Sequence, residues 1–275
     1  KEWEGWPAGS TSGLGFDADL ERYARSDTKG NIEVRQVEGD RLLARLPGHG
    51  PGGGGSGASV IRFSPDGSLL AVGYWHQIPG QPTNFQVWDW QRKQVVFQPT
   101  FTVHNVDFRP DGRRLALGQG DGTVIVYEVG GWKEENRLKA ESTAAHLAFH
   151  PDGTRLAVAD QGSGIVQVWE VATEKSLYKA PAPQPYFVAW HPDGDLLAAS
   201  CGDKVHLLDG ATGRPHTVLS GHQNKGVGVV FAAGGRSFAA GVATASPCAG
   251  VSVVLRLAGI LSGALASGGA RRASL

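Results

Sequence analysis

Methionine is absent from this 275-residue sequence, and cysteine occurs only at Cys201 and Cys248. Two cysteines are too few for a disulfide framework, so a reducing, cytoplasmic setting is expected. The missing initiator methionine suggests a region of a longer chain, and no signal peptide is visible at its start. No Asn-x-Ser/Thr, Gly-x-Ser-x-Gly, His-Glu-x-x-His or Walker A sequence is present. That leaves no glycan acceptor and no ready nucleophile, zinc or nucleotide motif. Acidic residues are missing after Asp209, where six basic residues remain; the first 209 residues hold 20 basic and 26 acidic ones. A net acidic region without a basic stripe repels phosphates, so nucleic acid is not an expected partner. Membrane insertion is not expected either: Arg256 and frequent Gly and Ser interrupt the apolar tail.

What the sequence does contain is a phrase repeated four times. It reads Phe63-Ser64-Pro65-Asp66-Gly67, Phe108-Arg109-Pro110-Asp111-Gly112, Phe149-His150-Pro151-Asp152-Gly153 and Trp190-His191-Pro192-Asp193-Gly194. The aspartates are spaced by 45, 41 and 41 residues, a period that marks an array of small units. Within each unit an alternating strand precedes the turn, with Ile61 and Phe63, Val106 and Phe108, Leu147 and Phe149, and Val188 and Trp190 on one face. Pro fixes φ, Asp bonds nearby backbone N–H groups and Gly tolerates φ > 0, so the turn is tight. Apolar second strands follow at 69–72, 115–117, 156–159 and 196–199. Third strands are expected at 85–89, 124–128, 166–170 and 205–209, with weaker fourth strands such as 93–97 and 175–179. Two degenerate units extend the ruler, from Phe16 through Arg22–Arg25 and Asn31–Arg35, and again from Phe231. Six short, helix-free, all-β units are expected.

Third strands ending in Trp88-Asp89, Tyr127-Glu128, Trp169-Glu170 and Leu208-Asp209, with Gly48-His49 and Gly221-His222, resemble the signatures of WD40 repeats. The resemblance covers about residues 15–240. It implies an all-β, WD40-type β-propeller of about six four-stranded units, in an incomplete or open ring. It also implies binding of a protein or peptide partner on a rim of variable loops. The family's His–Ser/Thr–Asp–Trp hydrogen-bonded set is broken here. Tyr127 and Leu208 replace tryptophans, and Ser163 stands where an Asp would accompany Trp169, so blade stability must rest more on apolar packing. Lys1-Glu2-Trp3-Glu4-Gly5-Trp6 and the run from Phe16 to Ala24 are similar to C-terminal repeat regions of large bacterial Ser/Thr protein kinases. That likeness implies an alternative, the regulatory or sensor part of a kinase whose catalytic domain lies elsewhere. Residues 1–14 are read as a lead-in or edge strand, 15–240 as the repeat domain and 241–275 as a degenerate or non-native tail. A decayed last blade with a strand at 251–255 and a shifted reading frame both remain open for that tail.

Candidate sites are few. Asp66, Asp111, Asp152 and Asp193 recur because the turn recurs, and Trp88, Asp89, Tyr127 and Trp169 recur with the third strand, so all eight are structural. Gly48–Gly53 formally matches G-x-G-x-x-G, but a strand rather than a helix follows, which removes the phosphate-binding reading. The position before Pro-Asp-Gly accepts Ser64, Arg109, His150 and His191, so it is expected to be a solvated turn site and not a metal site. Tyr74, Trp75, His76 and Gln77 do not repeat. They open an insertion at 74–83, on the same rim as a second insertion at 47–57, and an exposed aromatic there is an expected partner-binding hot spot. The alternative is that Trp75 folds back over the blade edge as a plug. A propeller hydrolase would need acidic or His residues converging on the central channel, and none is expected there. No catalytic residue, metal or cofactor is assigned. An open array is expected to expose an apolar blade face and to associate.

Overall fold

The computed structural model describes residues 13–27, 29–48, 57–78, 80, 82–220, 228–231, 237–241 and 253–256. Residues 1–12 of the lead-in, residues 49–56, Gly221-His222, Gly234-Gly235, Cys248 and most of the tail fall outside the described residues.

Each unit folds into one antiparallel sheet. The first holds β1 (Leu14–Phe16), β2 (Arg22–Ser26), β3 (Ile32–Gln36) and β4 (Leu42–Leu46). The second holds β5 (Ala58–Phe63), β6 (Leu69–Tyr74), β7 (Phe85–Asp89) and β8 (Gln94–Phe97). The third holds β9 (Asn105–Phe108), β10 (Arg114–Gly118), β11 (Thr123–Glu128) and β12 (Glu134–Lys139). The fourth holds β13 (Ala144–Phe149), β14 (Arg155–Asp160), β15 (Ile165–Glu170) and β16 (Lys175–Pro181). The fifth holds β17 (Pro185–Trp190), β18 (Leu196–Cys201), β19 (Lys204–Asp209) and β20 (Pro215–Ser220). The sixth has three described strands, β21 (Gly228–Phe231), β22 (Ser237–Gly241) and β23 (Val253–Arg256). The last of these pairs with β22, so a strand expected at 251–255 forms at 253–256 and the sheet runs past residue 240. The described residues contain no α-helix, as expected of these units; a single 3-10 turn at Glu38–Asp40 joins β3 to β4.

Identical turns explain the identical sheets. In all four Pro-Asp-Gly turns the glycine N–H donates at 2.8 Å to the carbonyl three residues earlier, on Ser64, Arg109, His150 and His191. The four glycines have φ between +70° and +80°, which a side chain opposes. The first unit uses the same geometry without the glycine: Leu20 sits at φ 57° and donates to the Asp17 carbonyl.

First strands of consecutive sheets lie against each other, β1 on β5, β5 on β9, β9 on β13, β13 on β17 and β17 on β21. They are therefore innermost, and the sheets radiate from them in chain order. Among the described residues no comparable contact joins the sixth sheet to the first, so the ring is not closed there. Apolar clusters fill the junctions between sheets. At the first junction Ala24, Ile32, Val34, Ala44 and Leu46 meet Ile61, Phe63, Leu70, Val72 and Trp88. In all five complete sheets the pairing of third and fourth strands slips one residue just before the tryptophan position, at Arg35, Trp88, Tyr127, Trp169 and Leu208. Such a bulge bends the strand locally.

Candidate partner-binding rim

The insertion after β6 begins by continuing the strand. Leu70, Val72 and Tyr74 alternate onto one face, so Tyr74 is only 4% exposed and joins the first apolar cluster. It is removed from the expected surface set, because period-two alternation points it inward. Trp75 alternates outward and is 61% exposed. His76 and Gln77 are exposed beside it. Ile78 turns back into the same apolar cluster as Tyr74. The plug over the blade edge is therefore Ile78, and Trp75 stays in solvent.

Hydrogen bonds fix this loop. Ile78 N–H donates to the Thr83 carbonyl at 2.8 Å and Tyr74 N–H to the Asn84 carbonyl at 2.8 Å. The Asn84 amide donates to the carbonyls of Tyr74 (2.7 Å) and Val103 (2.9 Å), and its Oδ1 accepts from Val103 N–H at 2.7 Å. Gln77 Nε2 reaches Thr102 Oγ1 at 3.5 Å. The insertion and the connection from β8 to β9 thus form one platform.

On the opposite rim the Pro-Asp-Gly turns lock themselves. Ser64 Oγ donates to Asp66 at 2.5 Å, Arg109 pairs with Asp111, and His150 Nδ1 lies 2.8 Å from Asp152. His191 Nδ1 accepts from Asp193 N–H at 3.2 Å. The Arg109 guanidinium and the Arg113 N–H hold the Asp111 carboxyl down at about 2. At Asp152 burial pushes upward, but the Thr154 N–H and hydroxyl and His150 bring it to about 2. The position before Pro, expected to be solvated, is in fact covered: His150 is 4% and His191 5% exposed. The cause is the next sheet. The His150 ring packs edge-on to Trp190 at 4.6 Å and contacts the Gly194 carbonyl, while His191 packs against Phe231. A cleft of about 510 Å³ between the Pro-Asp-Gly turns of the third and fourth sheets is lined by Arg109, Asp111, Asp152, Thr154 and Glu170. Those side chains are engaged among themselves or with their neighbours.

The third-strand residues behave as packing groups. Trp88 and Trp169 are buried, and their indole N–H groups make no hydrogen bond within the described residues, as the broken signature set implies. Tyr127 packs on Phe97 at 4.9 Å. Asp89 accepts from Arg92 N–H at 2.9 Å and closes the following turn. Trp90, which the repeat pattern does not single out, is buried and donates to the Gly67 carbonyl at 2.8 Å.

The inner strands carry single acidic and His residues that the repeat pattern does not single out. Asp107 on β9 and His146 on β13 both lie in the field of Arg62 on β5. Asp107 Oδ2 accepts from Phe149 N–H at 2.8 Å, Asn105 Oδ1 from Leu147 N–H at 3.2 Å, and His146 Nδ1 from Val188 N–H at 3.4 Å. These side chains tie each inner strand to the exposed backbone edge of the next. Burial pushes Asp107 up to about 6 and His146 down to about 3. Alternation away from Phe108 and Phe149 was the signal that could have found them. Among the described residues no three metal-ligating side chains converge.

The family model for "WD domain, G-beta repeat" matches residues 91–128 and 177–207. The first match runs from just before β8 to the end of β11, and the second from within β16 into β19. Both begin at the outer strand of one sheet and continue through the first three strands of the next. The chain carries WD40 repeats. Its architecture is that of a WD40 β-propeller whose ring is not closed. The chain is similar to "Telomerase protein component 1" of Rattus norvegicus, 30% identical over 160 residues, covering 54% of this chain and 6% of that protein. It is also similar to "Periodic tryptophan protein 2 homolog" of Dictyostelium discoideum, 23% identical over 178 residues, 61% of this chain and 19% of that protein. A third relative is "Intraflagellar transport protein osm-1" of Caenorhabditis elegans, 29% identical over 112 residues, 36% of this chain and 6% of that protein. The chain thus spans less than a fifth of the length of these relatives. Proteins with these repeats are generally interaction scaffolds. No helix of the described residues is long and apolar enough to cross a membrane.

Proposed function

We propose that this chain is a non-catalytic scaffold module that holds a protein or peptide partner on its loop rim, with Trp75, His76 and Gln77 as the contact residues. The observation that carries this reading is the state of Trp75: 61% exposed, on a backbone anchored by Ile78, Asn84 and Gln77. A large apolar side chain held rigidly in water loses little conformational entropy on binding and gains the full benefit of burial. Tryptophan is also the residue type most enriched among energetic hot spots. By contrast, the cleft on the opposite rim is polar and its charges are internally satisfied.

The test is affinity capture from extracts of the cells that make the protein, with the wild-type chain, Trp75→Ala and Leu177→Ala. Leu177 is exposed on β16, in a different sheet. Proteins held by the wild type and by Leu177→Ala but lost with Trp75→Ala support the rim. Equal recovery by all three forms sinks it. Point substitution is preferable to shortening 74–83, because Tyr74 and Ile78 belong to the apolar cluster.

A further inference from the structure

We propose, building on the rim reading above, that the partner segment received at Trp75 is an uncharged, extended stretch carrying proline or aliphatic side chains. The platform is made of the described residues 75–78, 80, 82–84 and 98–104, and neither stretch of sequence, 75–84 or 98–104, contains Asp, Glu, Lys or Arg. Its surface groups are instead one exposed indole, the half-buried ring of Phe101, and the amide, hydroxyl and imidazole groups of Gln77, Thr100, His76 and His104. Elsewhere the same rim is ionic: Lys139 pairs with Asp121 at 3.1 Å and Lys179 with Glu141 at 2.5 Å. The charge-free sector therefore belongs to the second sheet and its outgoing connection, not to the rim as a whole.

Two physical arguments select the occupant. A charged residue brought onto this sector would lose hydration with no Asp, Glu, Lys or Arg of the two stretches to meet it, which disfavours acidic and basic segments alike. The interior of a binding patch is correspondingly depleted in charge and enriched in aromatic residues. An extended segment, in turn, has backbone N–H and C=O groups unpaired within itself, which amide and hydroxyl side chains can satisfy, while an indole face packs on proline or aliphatic surface.

The experiment is selection from a displayed library of random 12-residue peptides on the immobilised full chain, with counter-selection on Trp75→Ala. Recovered peptides are expected to be poorer in Asp, Glu, Lys and Arg than the input library and richer in Pro and Leu. Their affinity should change less than about twofold between 50 and 500 mM NaCl, since screening acts on charge pairs. It should fall at least about tenfold on Trp75→Ala, a loss of about 1.4 kcal/mol. Dominance of charged peptides whose binding weakens steeply with salt overturns the proposed partner chemistry while leaving the rim in place. Failure to recover any peptide that separates the wild type from Trp75→Ala overturns the rim reading itself. Unchanged thermal unfolding of Trp75→Ala guards against loss of fold as the cause.

Discussion

The faces that the first and second sheets turn toward the preceding position of the array occupy the same register and carry opposite chemistry. In the second sheet the cross-strand rows are Phe63–Leu70–Trp88 and Ile61–Val72–Gln86. In the first they are Phe16–Tyr23–Arg35 and Leu14–Arg25–Glu33. The second sheet seals this face against its neighbour. On the first sheet Leu14 and Phe16 are each 44% exposed, and the rest of the face is an ion network. Glu33 is bonded by Arg25, Arg35 and Arg45, and Asp40 by Tyr23 and Arg35. This face of the first sheet is thus partly apolar and largely charged, and Tyr23 within it is buried. The comparison teaches that one backbone register supports either an apolar seal or an ion network, and that a few side chains choose.

The largest way to break this contrast is at the tryptophan position. Trp88→Ala should lower stability by about 3–5 kcal/mol, since it empties a junction. Urea unfolding followed by far-ultraviolet circular dichroism reads the difference. The second test concerns how junctions are made. Gly194 has φ +80°, and a Cβ there would fall inside the His150 imidazole, whereas at Gly112 (φ +71°) the nearest atom is Pro65 Cδ at 3.7 Å. Gly194→Ala should cost about 2–4 kcal/mol and Gly112→Ala about 1, the latter reflecting φ alone. Equal losses would mean that packing across the junction contributes little.

Carboxylates sharpen the contrast further. On that face of the first sheet, hydrogen bonds from Tyr23 and Arg35 pull Asp40 below its ordinary range. On inner strand β9, burial raises Asp107 to about 6 against the opposing pull of Arg62. A carboxyl that binds its proton more tightly folded than unfolded makes stability fall as pH rises from about 4 to about 6. Asp107→Asn keeps an acceptor for Phe149 N–H, as Asn105 does for Leu147. It should raise stability at pH 7 by about 1–3 kcal/mol and flatten that pH dependence. Melting temperatures between pH 4 and 7 decide it; an unchanged slope means Asp107 is not the titrating group. The smallest effect is expected at Arg35→Ala, about 1 kcal/mol or less, because its partners remain in contact with water. A loss matching that of Trp88→Ala would erase the distinction between the two faces.

Most of the architecture was legible because the turn is a ruler. The third strand expected at Phe85–Asp89 forms over those residues, and the degenerate turn at Asp17–Leu20 falls in register with the others. What escaped depends on neighbours that are remote in sequence. His150 and His191 share a position with Ser64 and Arg109, and a column of such unlike residues looks solvated; their burial comes from Trp190 and Phe231, one unit away. Asp107 and His146 hide for the same reason, since each serves the backbone of the following sheet. At the rim, Trp75 was legible as the residue that fits no repeat. Tyr74 was misplaced although the alternation from Leu70 already pointed it inward.

The contact between turns has a direction. Pro65 approaches Gly112, Arg109 approaches Gly153 and His150 approaches Gly194, always from one unit onto the next. A head-to-tail contact of this kind contains no instruction to stop; it yields a ring only if the rotation closes, and otherwise an open row. With Arg35, Arg25 and Glu33 where Trp88, Val72 and Gln86 stand one unit later, the first sheet carries an ion network at the positions that seal the next junction. Whatever meets this face must do so by a different code, reading charge where every other seam reads shape.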